Sequence, residues 1–105
     1  MKWTLIRYRT HPERTDENTA LVRAVFEELQ AKSPPGLRYM AMRLPGGEFV
    51  HLFSAAEEPN PLLAMPAFQA FQTGVRERQA ERAERDEAEV LGDYRVLSGD
   101  LEHRG

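Results

Sequence analysis

His51 is the side chain in this sequence best suited to move a proton. It stands in a strand-like run between Phe49 and Phe53, across a Pro45-Gly46-Gly47 turn from Met40 and Met42. Histidine titrates nearest to neutral pH of all side chains. Inside a cavity, His51 would act as a general base toward an acidic phenol or enol. The plainer role for the same position is a core or interface histidine satisfied by a backbone carbonyl or a partner chain. Tyr8 and Tyr39 each combine an apolar body with a polar tip, which suits them to orient an aromatic ligand or simply to pack with one satisfied hydroxyl. Arg7 and Arg43 lie on presumptive strands, where a buried guanidinium needs a carboxylate. Either would bind an acidic substrate or pair across strands, for example with Glu48. Met40, Met42 and Met65 read as adaptable core filling. Neither His11 nor His103 has the spacing to build a metal site with His51. The sequence contains no paired carboxylates, glycine-rich phosphate loop or nucleophile elbow. No metal or cofactor is expected.

These residues need strands and helices to place them. Lys2–Arg9 alternates as a strand, with Trp3, Leu5 and Arg7 on one side and Thr4, Ile6 and Tyr8 on the other. His11-Pro12 closes it, because a residue before proline avoids the helical region. A helix is predicted to open near Thr15 or Asp16, with Asp16 and Glu17 at the positive end of its dipole. Leu21, Val22, Val25, Phe26 and Leu29 make its apolar stripe, and Ser33-Pro34-Pro35-Gly36 stops it. The stretch Leu37–Phe53 then reads as a hairpin. A two-residue Gly-Gly loop would pair Leu44 with Phe49, Met42 with His51 and Met40 with Phe53. Tyr39, Ala41, Arg43, Val50 and Leu52 would take the opposite face. A three-residue loop would swap the face of the second strand.

Asn60-Pro61 is expected to open a short helical turn, with asparagine as N-cap and proline at the first position. A second helix is predicted from about Pro66, with Phe68, Phe71 and Val75 as its stripe. Gly74 either permits close packing or weakens that helix. Arg76–Glu89 reads as a solvated helix end and linker, with Glu81 four residues before Arg85. Val90–Leu97 is expected to be the last strand, with Gly92 a bulge. Residues 1–97 form one domain on this reading, and 98–105 a polar tail.

The order is β-α-β-β-α-β, the ferredoxin-like α+β arrangement: a four-stranded antiparallel sheet with two helices on one face. Trp3, Leu5, Tyr39, Val50, Leu52, Phe53 and Tyr94 are too many large side chains for one helix-facing layer. A lone subunit would expose a larger apolar patch than a monomer tolerates. A homodimer joined through the sheet faces removes it.

Bulk properties narrow the function. A chain of 105 residues buries roughly 65% of its unfolded surface, a workable core without disulfides. It has no cysteine, which excludes a disulfide framework and thiolate metal sites. A net charge of −3 and a pI near 5.6 argue against nucleic-acid binding. Of the 14 basic residues only Lys2 and Lys32 are lysines, a bias that fits a GC-rich genome. No apolar run approaches membrane-spanning length and no apolar leader stands at the start. The default compartment is cytoplasmic.

Three segments, MKWTLIRYRTHPER, PGLRYMAMRLPGGEFVHLF and PLLAMPAFQAFQTGV, make the chain resemble the dimeric α/β barrels of the antibiotic biosynthesis monooxygenase type from Lys2 to Leu97. The resemblance implies two four-stranded sheets paired into a barrel, and a small-molecule cavity between each sheet and its own helices. Haem-degrading relatives use an asparagine on the first strand, a tryptophan near the cavity and a histidine on the second helix. Here the strand reads Leu5-Ile6-Arg7-Tyr8, the only tryptophan is Trp3, and the second helix offers Gln69 and Gln72. A haem iron needs an axial ligand such as histidine, so this pattern argues against haem degradation. Quinone-forming relatives need no cofactor and use asparagine and tryptophan; Asn60 is the asparagine that could take that part, without a tryptophan beside it.

The resulting expectation is a small-molecule-binding dimeric α/β barrel. As an enzyme it would be a cofactor-independent monooxygenase or related catalyst acting on a small aromatic or polyketide-like compound. His51 would be the base, and Tyr8, Tyr39 and Arg43 would orient the substrate. The alternative is a non-catalytic homodimer that binds a metabolite or serves a structural role. An enclosed cavity lined by His51 and a tyrosine separates the two.

Overall fold

A computed structural model describes residues 2–56 and 58–97. Strand β1 (Trp3–Arg9) leads through a single 3-10 turn at Pro12–Arg14 into helix α1 (Thr15–Lys32). Strands β2 (Leu37–Leu44) and β3 (Glu48–Ala55) form the hairpin. A 3-10 turn at Pro61–Ala64 precedes helix α2 (Pro66–Gln72), a short helix α3 (Val75–Arg78) and strand β4 (Glu84–Ala88). The sheet is fully antiparallel in the order β2-β3-β1-β4. This is the ferredoxin-like fold, with its helices on one face.

Helix α1 ends as its sequence predicts. Ser33 adopts the left-handed conformation at φ 46° and donates its N–H to the Leu29 carbonyl, satisfying one of the helix's last free acceptors. Asn60 caps the turn at Pro61 by accepting from the Leu62 N–H at 2.9 Å, as its type and place predict. The core lies between sheet and helices: Tyr8 and Phe49 from the sheet meet Val22 and Val25 of α1, then Leu62, Met65 and Phe71.

Three expectations are corrected. The hairpin loop has three residues, Pro45-Gly46-Gly47, so Leu44 pairs with Glu48, Arg43 with Phe49 and Ala41 with His51. A two-residue loop would make Pro45 and Glu48 the closing pair, and proline has no N–H to give to it. The shift moves His51 and Phe53 to the side of Tyr39 and Ala41, away from Met40 and Met42. Second, Val90–Leu97 is not a strand; β4 is Glu84–Ala88, inside the charged run expected to be helix end and linker, and Arg85 lies in that strand instead of a helix with Glu81. Its charges are tolerated because it is an edge strand, and charged side chains suit an edge. Its Glu84 pairs directly with Arg7. Third, the second helix breaks at Gly74, whose φ of +76° no L-residue adopts readily. The expected tail, 98–105, lies outside the described residues.

The sheet's second face carries Trp3, Leu5, Met40, Met42, Val50 and Leu52, none of which joins the core beneath the helices. Beyond β4, Leu91 and Tyr94 are 93% and 82% exposed. Among the described residues no helix is long and apolar enough to cross a membrane.

Candidate functional site

The corrected register is what assembles the site. Ala41 faces His51 across the β2–β3 ladder, so Tyr39, two residues earlier, lies diagonal to His51 on the same face. Ile6 faces His51 across the β1–β3 ladder, which puts Tyr8 diagonal to it on the other side. The imidazole therefore sits between two phenols. The Tyr8 hydroxyl lies 3.0 Å from Nε2 and the Tyr39 hydroxyl 2.6 Å from Nδ1. Phe71 of α2 closes over the ring, with centroids 5.6 Å apart.

A cavity of about 500 Å³ opens beside this cluster, between the sheet and the segment Leu62–Gln79. Its buried wall includes Tyr8, His51, Leu62 and Phe71; its exposed mouth includes Lys2 and Arg85. Such a volume lies in the range of small-molecule sites, and an apolar wall with a few converging polar groups is their usual composition. Ser54 also lines it, and its buried hydroxyl has no partner among the described residues.

Burial controls the ionisation of the cluster. Removal from water pushes the His51 imidazole down to about 4, so it is neutral at pH 7. Burial likewise raises the Tyr8 phenol to about 12, against the opposing pull of the Asn18 hydrogen bond and the Arg78 charge. It raises Tyr39 as well, with the Tyr8 phenol adding to the effect. All three groups are uncharged near neutrality, and each is held by its neighbours.

Two further members were not found from sequence. Asn18, fully buried on α1, places its Nδ2 2.9 Å from the Tyr8 hydroxyl. Arg78, 1% exposed, donates from Nε to Asn18 Oδ1 at 2.9 Å and from its terminal nitrogens to the carbonyls of Thr73 and Phe71. Among the described residues no carboxylate forms an ion pair with this buried guanidinium. The free carbonyls at the end of α2 take its protons, where the helix dipole is negative. Asn18 had a signal: it stands four residues before Val22, a polar side chain on an apolar stripe. Arg78 had none, being one arginine among several in a charged run.

Arg43 is not part of this constellation. Its side chain bonds Thr19 Oγ1 at 3.1 Å and lines a separate shallow cleft with Val22, Phe26 and Phe49. Arg7 pairs with Glu84 on the opposite face, and Glu48 lies 3.8 Å from Arg9. Asn60 lines the cavity while its carbonyl caps the Pro61 turn. Among the described residues no three His, Asp or Glu side chains converge as a metal site.

No family model matches the sequence, and no curated protein matches it. Solved structures do match. A protein described as a putative antibiotic biosynthesis monooxygenase from Bacteroides thetaiotaomicron superposes with a TM-score of 0.72 at 22% identity, over 86% of this chain and 89% of its own. A structure described as an antibiotic biosynthesis monooxygenase gives 0.68 at 17% identity, over 88% of this chain and 100% of its own. SnoaB from Streptomyces nogalater, described as a cofactor-independent oxygenase and solved as a variant, gives 0.61 at 15% identity, over 90% and 97%. At these identities the likeness establishes the fold.

Proposed function

From the fold of the antibiotic biosynthesis monooxygenases as premise, we propose that this chain is a small-molecule-binding dimeric α/β barrel. Its activity would be cofactor-independent oxygenation of a small aromatic or polyketide-like compound. The observation that carries this reading is the cavity of about 500 Å³ ending on the Tyr8–His51–Tyr39 cluster. Aromatic and aliphatic walls accept a fused-ring ligand, and the phenol–imidazole–phenol group, with the Ser54 hydroxyl nearby, offers polar contacts in the buried wall.

A compound with an acidic CH2 between aromatic rings suits such a site. It loses a proton to give a carbanion delocalised onto an oxygen as an enolate, and the proton leaves with water at the mouth. O2 adds at the carbanion carbon to form a hydroperoxide once protonated. Loss of water then leaves a carbonyl, so one oxygen atom enters the product and the other departs as water. Stabilising the enolate oxygen at the cluster lowers the barrier to the first step. His51, with both ring nitrogens occupied and little basicity, serves this chemistry by holding the phenols in place. Asn18 and Arg78 support it from behind.

The apolar face of Trp3, Leu5, Met40, Val50 and Leu52 supports assembly through the sheets, the second part of the proposal. Sheet pairing would cover that patch, which is rimmed by the Arg7–Glu84 and Arg9–Glu48 pairs. The absence of a candidate membrane-crossing helix among the described residues fits the proposed cytoplasmic setting.

Native mass spectrometry of freshly purified protein tests both parts. The expected result is a dimer carrying a co-purified aromatic compound, released on denaturation. A ligand-free monomer at micromolar concentration would remove the assembly and leave the cavity without support. Once a substrate is in hand, Tyr39→Phe should lower turnover about 100- to 1,000-fold; unchanged turnover would place the reacting oxygen elsewhere.

A further inference from the structure

The hydrogen bonds behind the cavity run in one direction, and Arg78 sets it. A guanidinium only donates. Its Nε, 2.9 Å from Asn18 Oδ1, therefore takes the carboxamide oxygen and turns the NH2 group toward Tyr8. The Tyr8 hydroxyl accepts that N–H. Its single proton then goes to its other partner, His51 Nε2, at 3.0 Å. A neutral imidazole that accepts at Nε2 carries its proton at Nδ1, and that proton goes to the Tyr39 oxygen at 2.6 Å. The Tyr39 hydroxyl proton is the one left unused, at a residue that lines the cavity. The opposite tautomer would make Tyr8 accept twice and strand its own buried proton without an acceptor among the described residues.

We propose that Arg78 and Asn18 act as positioning residues that fix this polarity, so that Tyr39 meets the ligand as a hydrogen-bond donor. The site consequently selects planar aromatic ligands that present a carbonyl or enolate oxygen, over equally shaped ones that present only an N–H. This rests on the ligand-binding reading of the cavity and specifies its chemistry. A bound oxyanion gains twice. It receives the Tyr39 proton, and it sits at the end of a chain of dipoles whose far end is a buried cation. Hydrogen bonds aligned head to tail in a poorly screened interior reinforce one another.

Two probes of the same shape and opposite polarity test this. 9-Fluorenone offers only an acceptor oxygen; carbazole, with the same tricyclic outline, offers an N–H donor. The full-length protein should bind fluorenone at least 10-fold more tightly than carbazole by titration calorimetry, and Tyr39→Phe should bring the two within about twofold. Nitrogen-15 NMR of the imidazole should show the proton on Nδ1, with or without ligand. Asn18→Asp reverses the chain while keeping its shape. A carboxylate accepts from both Arg78 and Tyr8, so His51 must donate from Nε2 and Tyr39 must turn its proton toward Nδ1. The variant should show the Nε2–H tautomer and prefer carbazole.

An Nε2–H tautomer in the unsubstituted protein would overturn the proposal. The same ligand ranking in a folded Asn18→Asp variant would overturn it too. Should that variant not fold, the tautomer and the Tyr39→Phe ranking still decide. Should neither tricycle bind although the proton is on Nδ1, the ligand reading of the cavity fails and the selectivity fails with it, while the polarity of the chain stands.

Discussion

A histidine held neutral in the interior leaves a mark on stability. Below its ordinary value of about 6.5, an unfolded His51 takes up a proton that the folded one, at about 4, refuses. The unfolded state then binds more protons, so stability falls as pH drops from about 6.5 and levels off once the folded imidazole protonates. The full difference corresponds to about 3 kcal/mol. Urea unfolding at pH 7, 6 and 5 should show this loss, and His51→Gln should flatten it. An unchanged slope in that variant would mean that another group titrates. Arg78 makes a second prediction at this scale. Arg78→Met would leave Asn18 Oδ1 and the carbonyls of Phe71 and Thr73 without their donors, costing about 3 kcal/mol in urea unfolding at pH 7. At this scale residue type marks His51, Tyr8 and Tyr39 as candidates, but a two-residue loop would put Tyr39 on the face opposite His51, and only the observed register brings the three together. Arg43, of the same suitable type on a strand, lines a different cleft, because strand position alone does not say how far along the sheet a long side chain lies from its neighbours. Arg78 was hidden because burial of a charge depends on which carbonyls the chain leaves free, and a helix break decides that.

Elements were legible wherever local chemistry dictates them. The α1 stripe, the Asn60 cap and the Pro66 start all follow from short-range rules and all appear in the fold. What failed was set at longer range. The strand character of β4 comes from pairing with β1, which an apolar pattern does not report: Val90–Leu97 looks more like a strand than Glu84–Ala88, yet joins no strand ladder among the described residues. Two glycines separate conformational strain from steric conflict. At Gly74 a methyl group would meet nothing closer than Arg78 Nη1 at 3.6 Å, so Gly74→Ala should cost only the left-handed backbone penalty, about 1 kcal/mol. At Gly47, also left-handed, the same methyl would stand 2.9 Å from Thr15 Oγ1 and 3.2 Å from Thr10 Oγ1. Gly47→Ala should therefore lower the melting temperature clearly more than Gly74→Ala. Equal shifts would mean that the Thr10–Thr15 contact yields freely.

For the molecule as a whole, the proposed sheet-to-sheet dimer makes the outer face as sensitive as the core. Leu5 and Leu52 are direct partners across β1 and β3 on that face. Leu52→Glu should convert the dimer to monomer in sedimentation velocity, and should promote aggregation through Trp3, Val50 and the exposed Leu91. A dimer unaffected by Leu52→Glu would put the interface on another surface. The fold class was legible at this scale from element order alone, because β-α-β-β-α-β leaves few ways to cover a sheet once its connections are short.

The missing N–H of Pro45 also bears on how the chain reaches this state. A hairpin forms within microseconds, before distant strands can meet. Besides the observed hairpin, which closes at Leu44–Glu48, the sequence pattern offers a second register, closing a residue nearer the turn at Pro45–Glu48. Each would be comfortable alone, since both faces of the pair are apolar. Docking onto β1 would expose the error only later, with Met40 and Met42 where Tyr39 should be, and correction would require the strands to part. Proline removes the competitor at the outset. Restoring the donor with Pro45→Ala should leave the native state nearly as stable while adding a slow refolding population, so that the residue acts as a proofreader of strand alignment.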